Sequence, residues 1–271
     1  MNNFFENKVV LITGATSGIG KALAIDFLSK GAKVAICSRN ADTLLSFSTE
    51  INSNNLLTVQ ADVSNEEDCK KFIEKSMNAF HAIDILINNA GISMRAMFQE
   101  VDLSVLKQSM DINFWGTVYC TKYALPYILK SKGSILGISS IAGYKGLPCR
   151  TGYSSSKFAM QGFLESLRIE LLKTGVNVMW VSPGFVSTNI RNTALNASGN
   201  AQSETPLNEN KLMSAEKCAS IILKGIEKRK RTIIMSTQGK LTVWINKFFP
   251  SFVDKQVYTH FANEPDSPLK N

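Results

Sequence analysis

No stretch of the 271 residues approaches the roughly 18 consecutive apolar side chains that a membrane-spanning helix needs. The opening residues, Met1-Asn2-Asn3-Phe4-Phe5-Glu6-Asn7-Lys8, lack the basic and apolar halves of a signal peptide, so a cytoplasmic location is the expectation. Cysteine is sparse. Cys37, Cys69, Cys120, Cys149 and Cys218 are scattered, odd in number and free of any C-x-x-C pair, which argues against a disulfide framework and against a metal site. Buried thiols of a reduced compartment are the reading that remains. No nucleic-acid-binding motif accompanies the net charge of +8, so that charge favours phosphates or anionic surfaces without implying DNA or RNA. Disorder is excluded by a composition that is 44% hydrophobic and 19% charged. A linker is missing too, and this length suits one large α/β core.

What is present is alternation. Lys8–Thr13, Lys33–Ser38, Leu56–Asp62 and Asp84–Asn88 are short apolar runs of strand length. Between them lie amphipathic stretches over Gly18–Lys30 (ended by Gly31), Ala41–Ile51 and Asn65–Phe80. The second half continues with a long helix from about Leu103 to Lys130, broken near Asp111 and kinked by Pro126. A strand over Gly133–Ser139, a helix over Tyr153–Thr174 and a strand over Val176–Ser182 come next, then a helix over Ala215–Lys228 and a strand over Thr232–Ser236. Strands alternating with helices of this length predict parallel βαβ units and an α/β, doubly wound Rossmann-type domain over residues 1–238. Residues 183–213, rich in Asn, Ser, Thr, Ala and Gly, read as a loop over the substrate. Residues 239–271 read as a C-terminal extension.

The first strand runs into Thr13-Gly14-Ala15-Thr16-Ser17-Gly18-Ile19-Gly20. Small residues there let backbone N–H groups approach a pyrophosphate, which the adjoining helix N-terminus attracts. The spacing is not G-x-G-x-x-G: three residues separate Gly14 from Gly18. The second strand ends Cys37-Ser38-Arg39-Asn40, with no carboxylate to hold ribose hydroxyls. Arg39 therefore reads as a clamp for a 2′-phosphate, and NADP(H) as the cofactor. Asp62-Val63, after the third strand, is placed to touch the adenine. Asn88-Asn89-Ala90-Gly91 ends the fourth, where the carboxyl ends of parallel strands gather around a ligand.

Strand five ends at Ser139-Ser140, and thirteen residues later comes Tyr153-Ser154-Ser155-Ser156-Lys157. Tyrosine and lysine at i and i+4 share a helical face, where the cation can stabilise a phenolate and tune it for acid–base work. A hydroxyl from Ser140 can hold a substrate carbonyl. Tyr-x-x-x-Lys alone proves nothing.

Together, Thr13-Gly14-x-x-x-Gly18-Ile19-Gly20, Asn88-Asn89-Ala90-Gly91, Asn113, Ser140, Tyr153, Lys157 and Pro183-Gly184 resemble the short-chain dehydrogenase/reductase family over roughly residues 8–236. The resemblance implies that Tyr153 is the acid–base residue, that Ser140 orients the carbonyl, and that Lys157 binds the nicotinamide ribose while lowering the tyrosine pKa. It also implies that Asn113 holds a relay water, and that Pro183, Gly184, Val186 and Thr188 line the cofactor. Ser38-Arg39, Ser166-Leu167-Arg168, Phe185-Val186-x-Thr188-Asn189 and the basic Lys228–Arg231 look like the branch containing 11-beta-hydroxysteroid dehydrogenase, although the opening residues are not expected to form the membrane anchor of many of those relatives.

The favoured reading is reduction of a ketone or aldehyde on a largely apolar small molecule, or the reverse. The alternatives are a 3-oxoacyl-carrier-protein reductase and a non-catalytic NADP(H)-binding regulatory protein. Met94, Tyr144, Leu147, Phe185 and Met213 are candidate pocket walls. Resemblance implies a homo-dimer or homo-tetramer, with Ile112, Trp115, Val118 and Tyr119 as a candidate interface stripe. In the extension, Leu241, Trp244, Ile245 and Phe248 fall on one helical face until Pro250 interrupts it. That face is expected to pack on the core or a neighbouring subunit; a peripheral membrane contact, with Lys240, Lys247 and Lys255 toward head groups, is the less favoured option.

Overall fold

The computed structural model describes residues 3–202 and 212–270; part of the loop read at 183–213, namely 203–211, lies outside the described residues. Among the described residues, seven parallel strands form one sheet: β1 (Val9–Thr13), β2 (Lys33–Ser38), β3 (Leu56–Gln60), β4 (Ile85–Asn88), β5 (Ser134–Ile138), β6 (Asn177–Ser182) and β7 (Thr232–Ile234). Their order is β3-β2-β1-β4-β5-β6-β7. Val10 lies opposite both Val34 and Ile85, so β1 and β4 are neighbours at the centre, and the winding reverses between them. A crevice must open at their carboxyl ends, because the connections leave in opposite directions.

Every residue of β1 is buried, as expected of a strand covered on both faces. Successive side chains point to opposite faces. Val10 and Ile12 therefore join Leu23 and Phe27 of α1 (Gly18–Ser29) and Ile222 of α7 (Ala215–Glu227). Val9 and Leu11 join Phe72 of α3 (Glu66–Phe80), together with Cys120 and Met160. All five cysteines are buried and free. Helix α2 (Ala41–Ile51) is capped by Asn40, whose side chain accepts from the N–H groups of Asp42 and Thr43.

The long helix read over Leu103–Lys130 is interrupted near Asp111, as expected: α4 (Leu103–Met110) and α5 (Gly116–Ser131) are joined by a π-helical turn over Asp111–Trp115. One extra residue in a turn rotates the helix beyond it, and such turns cluster where a side chain must be re-aimed. Pro126 lies inside α5 without ending it. Of the residues read as an interface stripe, Ile112 is buried and is core; Trp115 is exposed, with Tyr119 stacked on it. Helix α6 (Thr151–Glu170) starts two residues earlier than expected and ends four earlier.

Beyond β7 the chain forms α8 (Thr237–Phe248) and α9 (Pro250–Ala262). Pro250 stops the first and starts the second, since a first-turn proline gives up no hydrogen bond. The pair is tied back by Lys145, which donates to Asn246 at 2.9 Å and pairs with Asp254. Leu241, Trp244 and Phe248 remain 55%, 60% and 63% exposed, so the expectation that this face packs on the protein's own core is overturned for these three. Ile245 alone of that face turns half inward. Among the described residues, no helix is long and apolar enough to cross a membrane.

Candidate active site

The carboxyl ends of β1 and β4 are sewn together. Thr13 Oγ1 accepts from the N–H groups of Asn89 and Ala90, each at 3.0 Å, and Asn89 Nδ2 donates to the carbonyls of Thr13 and Gly14 at 2.9 Å. Two glycines make this possible. Gly14 has φ +62°, and a Cβ on it would come within 2.8 Å of the Ala90 backbone. A Cβ on Gly20 would meet Asn89 Nδ2 at 2.5 Å. Gly20 thus serves packing and does not line the cavity.

That cavity, of about 310 Å³, runs along the carboxyl edge of the sheet. Gly14, Thr16, Ser17, Gly18 and Ile19 form one end, with Ser38, Arg39, Asp62 and Val63 beside them. Asn89, Ala90 and Gly91 form the floor, and Pro183, Gly184, Val186 and Thr188 the far wall. Ser17 sits at the N-cap of α1 yet makes no side-chain capping bond, which leaves the positive helix end open to an anion. Thr16 Oγ1 lies 3.4 Å from Ser38 Oγ, next to Arg39, which is exposed and forms no salt bridge among the described residues. Two hydroxyls and a free guanidinium make a donor set suited to a phosphate. These residues fit a nicotinamide dinucleotide: glycines where a close approach is needed, donors where its phosphates would lie.

Ser140, Tyr153 and Lys157 line the other end of the same cavity. Ser140 comes just after β5; its Oγ accepts from Ala142 N–H at 3.1 Å and is hydrogen-bonded to the Tyr153 hydroxyl. Lys157 lies one helical turn past Tyr153, with Nζ 5.7 Å from the ring centre, and donates to the Ile138 carbonyl at 2.8 Å. Burial without a carboxylate partner pushes the Lys157 ammonium down to about 8. Burial pushes the Tyr153 phenol up, while the Ser140 hydrogen bond and the positive charge of Arg150 pull it back.

Asn113 sits in the π-helical turn, fully buried beneath the cavity rather than on its wall. Its Oδ1 accepts from Ile92 N–H at 2.8 Å, and its Nδ2 donates to the Ile92 carbonyl and to Ser156 Oγ. The side chain is a brace between the strand-four loop and α6. None of the five residues read as pocket walls lines this cavity. Met94 is fully buried in the cluster beneath Tyr153, Tyr144 accepts a hydrogen bond from Trp180, and Met213 packs on the main core. Leu147 is half-buried and donates its N–H to Ser154, and Phe185 lies outside beside His260. The aliphatic wall comes from Ile92, Ile138 and Ile190 instead. Isoleucines that also read as core give no separate signal, and the Ile138 carbonyl that holds Lys157 has no side-chain signature at all.

The short chain dehydrogenase family model matches residues 8–198, a span holding both the glycine turn and the Tyr153–Lys157 pair. The chain belongs to that family. Among its relatives is 11-beta-hydroxysteroid dehydrogenase-like 3 of Arabidopsis thaliana, 39% identical over 93% of this chain and 82% of that protein. This short-chain dehydrogenase thus falls in the branch named for hydroxysteroid dehydrogenases and is an oxidoreductase acting on CH–OH groups. Two solved structures share its fold. One is a short-chain dehydrogenase/reductase from Burkholderia phymatum in complex with NAD, with TM-score 0.79 and 23% identity over 93% of this chain and 96% of that one. The other is an alcohol dehydrogenase from the archaeon Thermococcus sibiricus complexed with 5-hydroxy-NADP, with TM-score 0.74 and 23% identity over 84% and 95%.

Proposed function

We propose that this short-chain dehydrogenase uses NADP(H) to interconvert a carbonyl and an alcohol on a largely apolar small molecule, with Tyr153 as the acid–base group. The observation that carries this reading is one cavity holding Arg39 and the glycine turn at one end and Ser140, Tyr153 and Lys157 at the other. The nicotinamide supplies or takes up the hydride when bound. Ser140 Oγ orients the substrate oxygen, and Tyr153 Oη gives a proton to it on reduction and removes one on oxidation. Lys157 stands beside the phenol and would hold the nicotinamide ribose. The relay water assigned to Asn113 would share its main-chain carbonyl with the Thr117 hydroxyl, which donates to it at 3.0 Å, since the side chain is already bonded. An apolar substrate is supported by the aliphatic wall of the cavity, where Ile92, Ile138 and Ile190 lie.

The test is turnover of ketones, aldehydes and secondary alcohols, followed through nicotinamide absorbance with each dinucleotide. NADP(H) is expected to be preferred, because Arg39 has no neighbouring carboxylate to offset it. A charge-assisted contact contributes roughly 1.5–3 kcal/mol, or about ten- to a hundredfold in affinity. Arg39→Asp should remove that preference. Equal wild-type affinity for the two cofactors contradicts the assignment of Arg39.

A second surface supports a lipid contact. Leu241, Trp244, Phe248, Phe249 and Phe252 are all more than half exposed, with Lys240, Lys247 and Lys255 exposed beside them. Aromatics flanked by lysines fit an interface of apolar chains and anionic head groups. An enzyme of apolar substrates gains by resting there.

A further inference from the structure

Arg150 occupies the N-cap position of α6, and its carbonyl accepts from Ser154 N–H at 2.8 Å, which sets it next to Tyr153 at the third residue of the helix. Its surroundings are unusual for a cation. The guanidinium stacks 4.5 Å over the ring of Phe261 in α9, and its side chain is only 14% exposed. Glu264, just past α9 and 5% exposed, reaches it at 3.5 Å through Oε2. The same oxygen lies 3.5 Å from Nη2 of Arg95, which comes after β4 and also donates to the Pro265 carbonyl at 2.8 Å. Cys149, held at φ +59°, accepts from Ala96 N–H at 3.0 Å and fixes the approach of the chain to Arg150. One carboxylate from the C-terminal tail thus stands between two largely covered arginines that would otherwise repel each other.

We infer that Arg150 is a positioning residue for Tyr153, and that Glu264 of the C-terminal tail holds it in place. This rests on Tyr153 being the acid–base group. Among the described residues, the charged and titratable groups around the two are few. Tyr153 faces Lys157 from its own helix, hydrogen-bonds Ser140, and feels Arg150. Arg150 faces Glu264 from the tail, Arg95 from the loop after β4, and its neighbour Cys149. An arginine keeps its charge even when buried. Its field therefore opposes the rise that burial imposes on the Tyr153 phenol. Removing Glu264 takes away a negative charge, which by itself would strengthen that field. It also leaves Arg95 and Arg150 uncompensated in a dry site, which drives them apart. The two consequences have opposite signs at Tyr153, so the direction of change identifies which one governs.

The experiment is an ultraviolet phenolate titration of the full chain, with Tyr153→Phe as the blank that isolates the Tyr153 signal. Arg150→Met is expected to move the Tyr153 transition to higher pH, and Arg150→Lys to recover part of the shift. Arg150→Gln, which keeps a donor for Glu264, guards against a folding defect and should behave like Arg150→Met. Glu264→Ala is expected to move the transition upward as well, and the double variant no farther than Arg150→Met alone, since one seat is lost either way. Retained NADPH binding and an unchanged melting transition mark each variant as folded. An unmoved or lowered transition in both Arg150→Met and Arg150→Gln overturns the role of Arg150. A lowered or unmoved transition in Glu264→Ala overturns the holding role of the tail. Undiminished turnover in Tyr153→Phe would instead sink the proposed function and leave the titration result standing.

Discussion

Lys157 is an ammonium 3% exposed, with a carbonyl for a partner and no carboxylate. Its value of about 8 lies below the roughly 10.4 of a free lysine, so the unfolded chain holds that proton more tightly. The fold is penalised accordingly. The penalty is fully present below about pH 8, on the order of 3 kcal/mol, and fades as pH rises toward about 10.5. Lys157→Met should therefore melt at a higher temperature than the wild type at neutral pH when no cofactor is present, and the gap should close at alkaline pH. A lower melting temperature across the whole range would show that the Ile138 hydrogen bond outweighs desolvation. Stability given up at a site residue is what a functional cation looks like. The sequence made Tyr153, Lys157, Ser140 and Arg39 legible because each carries unusual chemistry at a telling place. It did not reveal Arg150 or Glu264, because they lie 114 positions apart and meet only through folding.

Among the elements, the turn between β1 and α1 depends on Gly20 as much as on the residues that face the cavity. A methyl there would sit 2.6 Å from the Gly14 carbonyl as well as against Asn89, and neither backbone nor braced amide can yield cheaply. Gly20→Ala should cost about 1–3 kcal/mol, as overpacking does, and weaken NADPH binding in the same variant. Unchanged stability and affinity would mean that the β1–β4 seam is looser than its hydrogen bonds imply. The strands could be read from their apolar runs because β1, β4, β5 and β6 are buried along their whole length, and even the partly covered edge strands β3 and β7 keep apolar residues. The break near Asp111 was visible in the pattern, but its form as a π-helical turn was not, since one inserted residue alters hydrogen bonding without altering composition. Pro126 sits inside α5, so a residue that removes one backbone donor does not end the helix. The two C-terminal helices share a proline whose position stops one and starts the next, and sequence alone showed only the stop.

At the scale of the whole molecule, the aromatic face of α8 and α9 and the site share one tail. Deleting that tail would disturb Arg150 too, so point changes are the cleaner probe of the surface. The wild type should cosediment with anionic vesicles at low salt, and Trp244→Glu with Phe248→Ser should abolish this while NADPH turnover persists. No cosedimentation at low salt would reject a lipid contact. On the proposed function, the half-buried Tyr153 phenol on the cavity wall moves the proton while the cofactor supplies or takes up the hydride. Replacing Tyr153 by Phe keeps the ring and its packing and deletes only the hydroxyl. Proton transfer by a placed side chain is typically worth about 100- to 10,000-fold. Measured side by side with the wild type on the best carbonyl substrate, Tyr153→Phe should bind NADPH unchanged and turn over at least about a hundredfold more slowly; near-wild-type turnover would contradict the account.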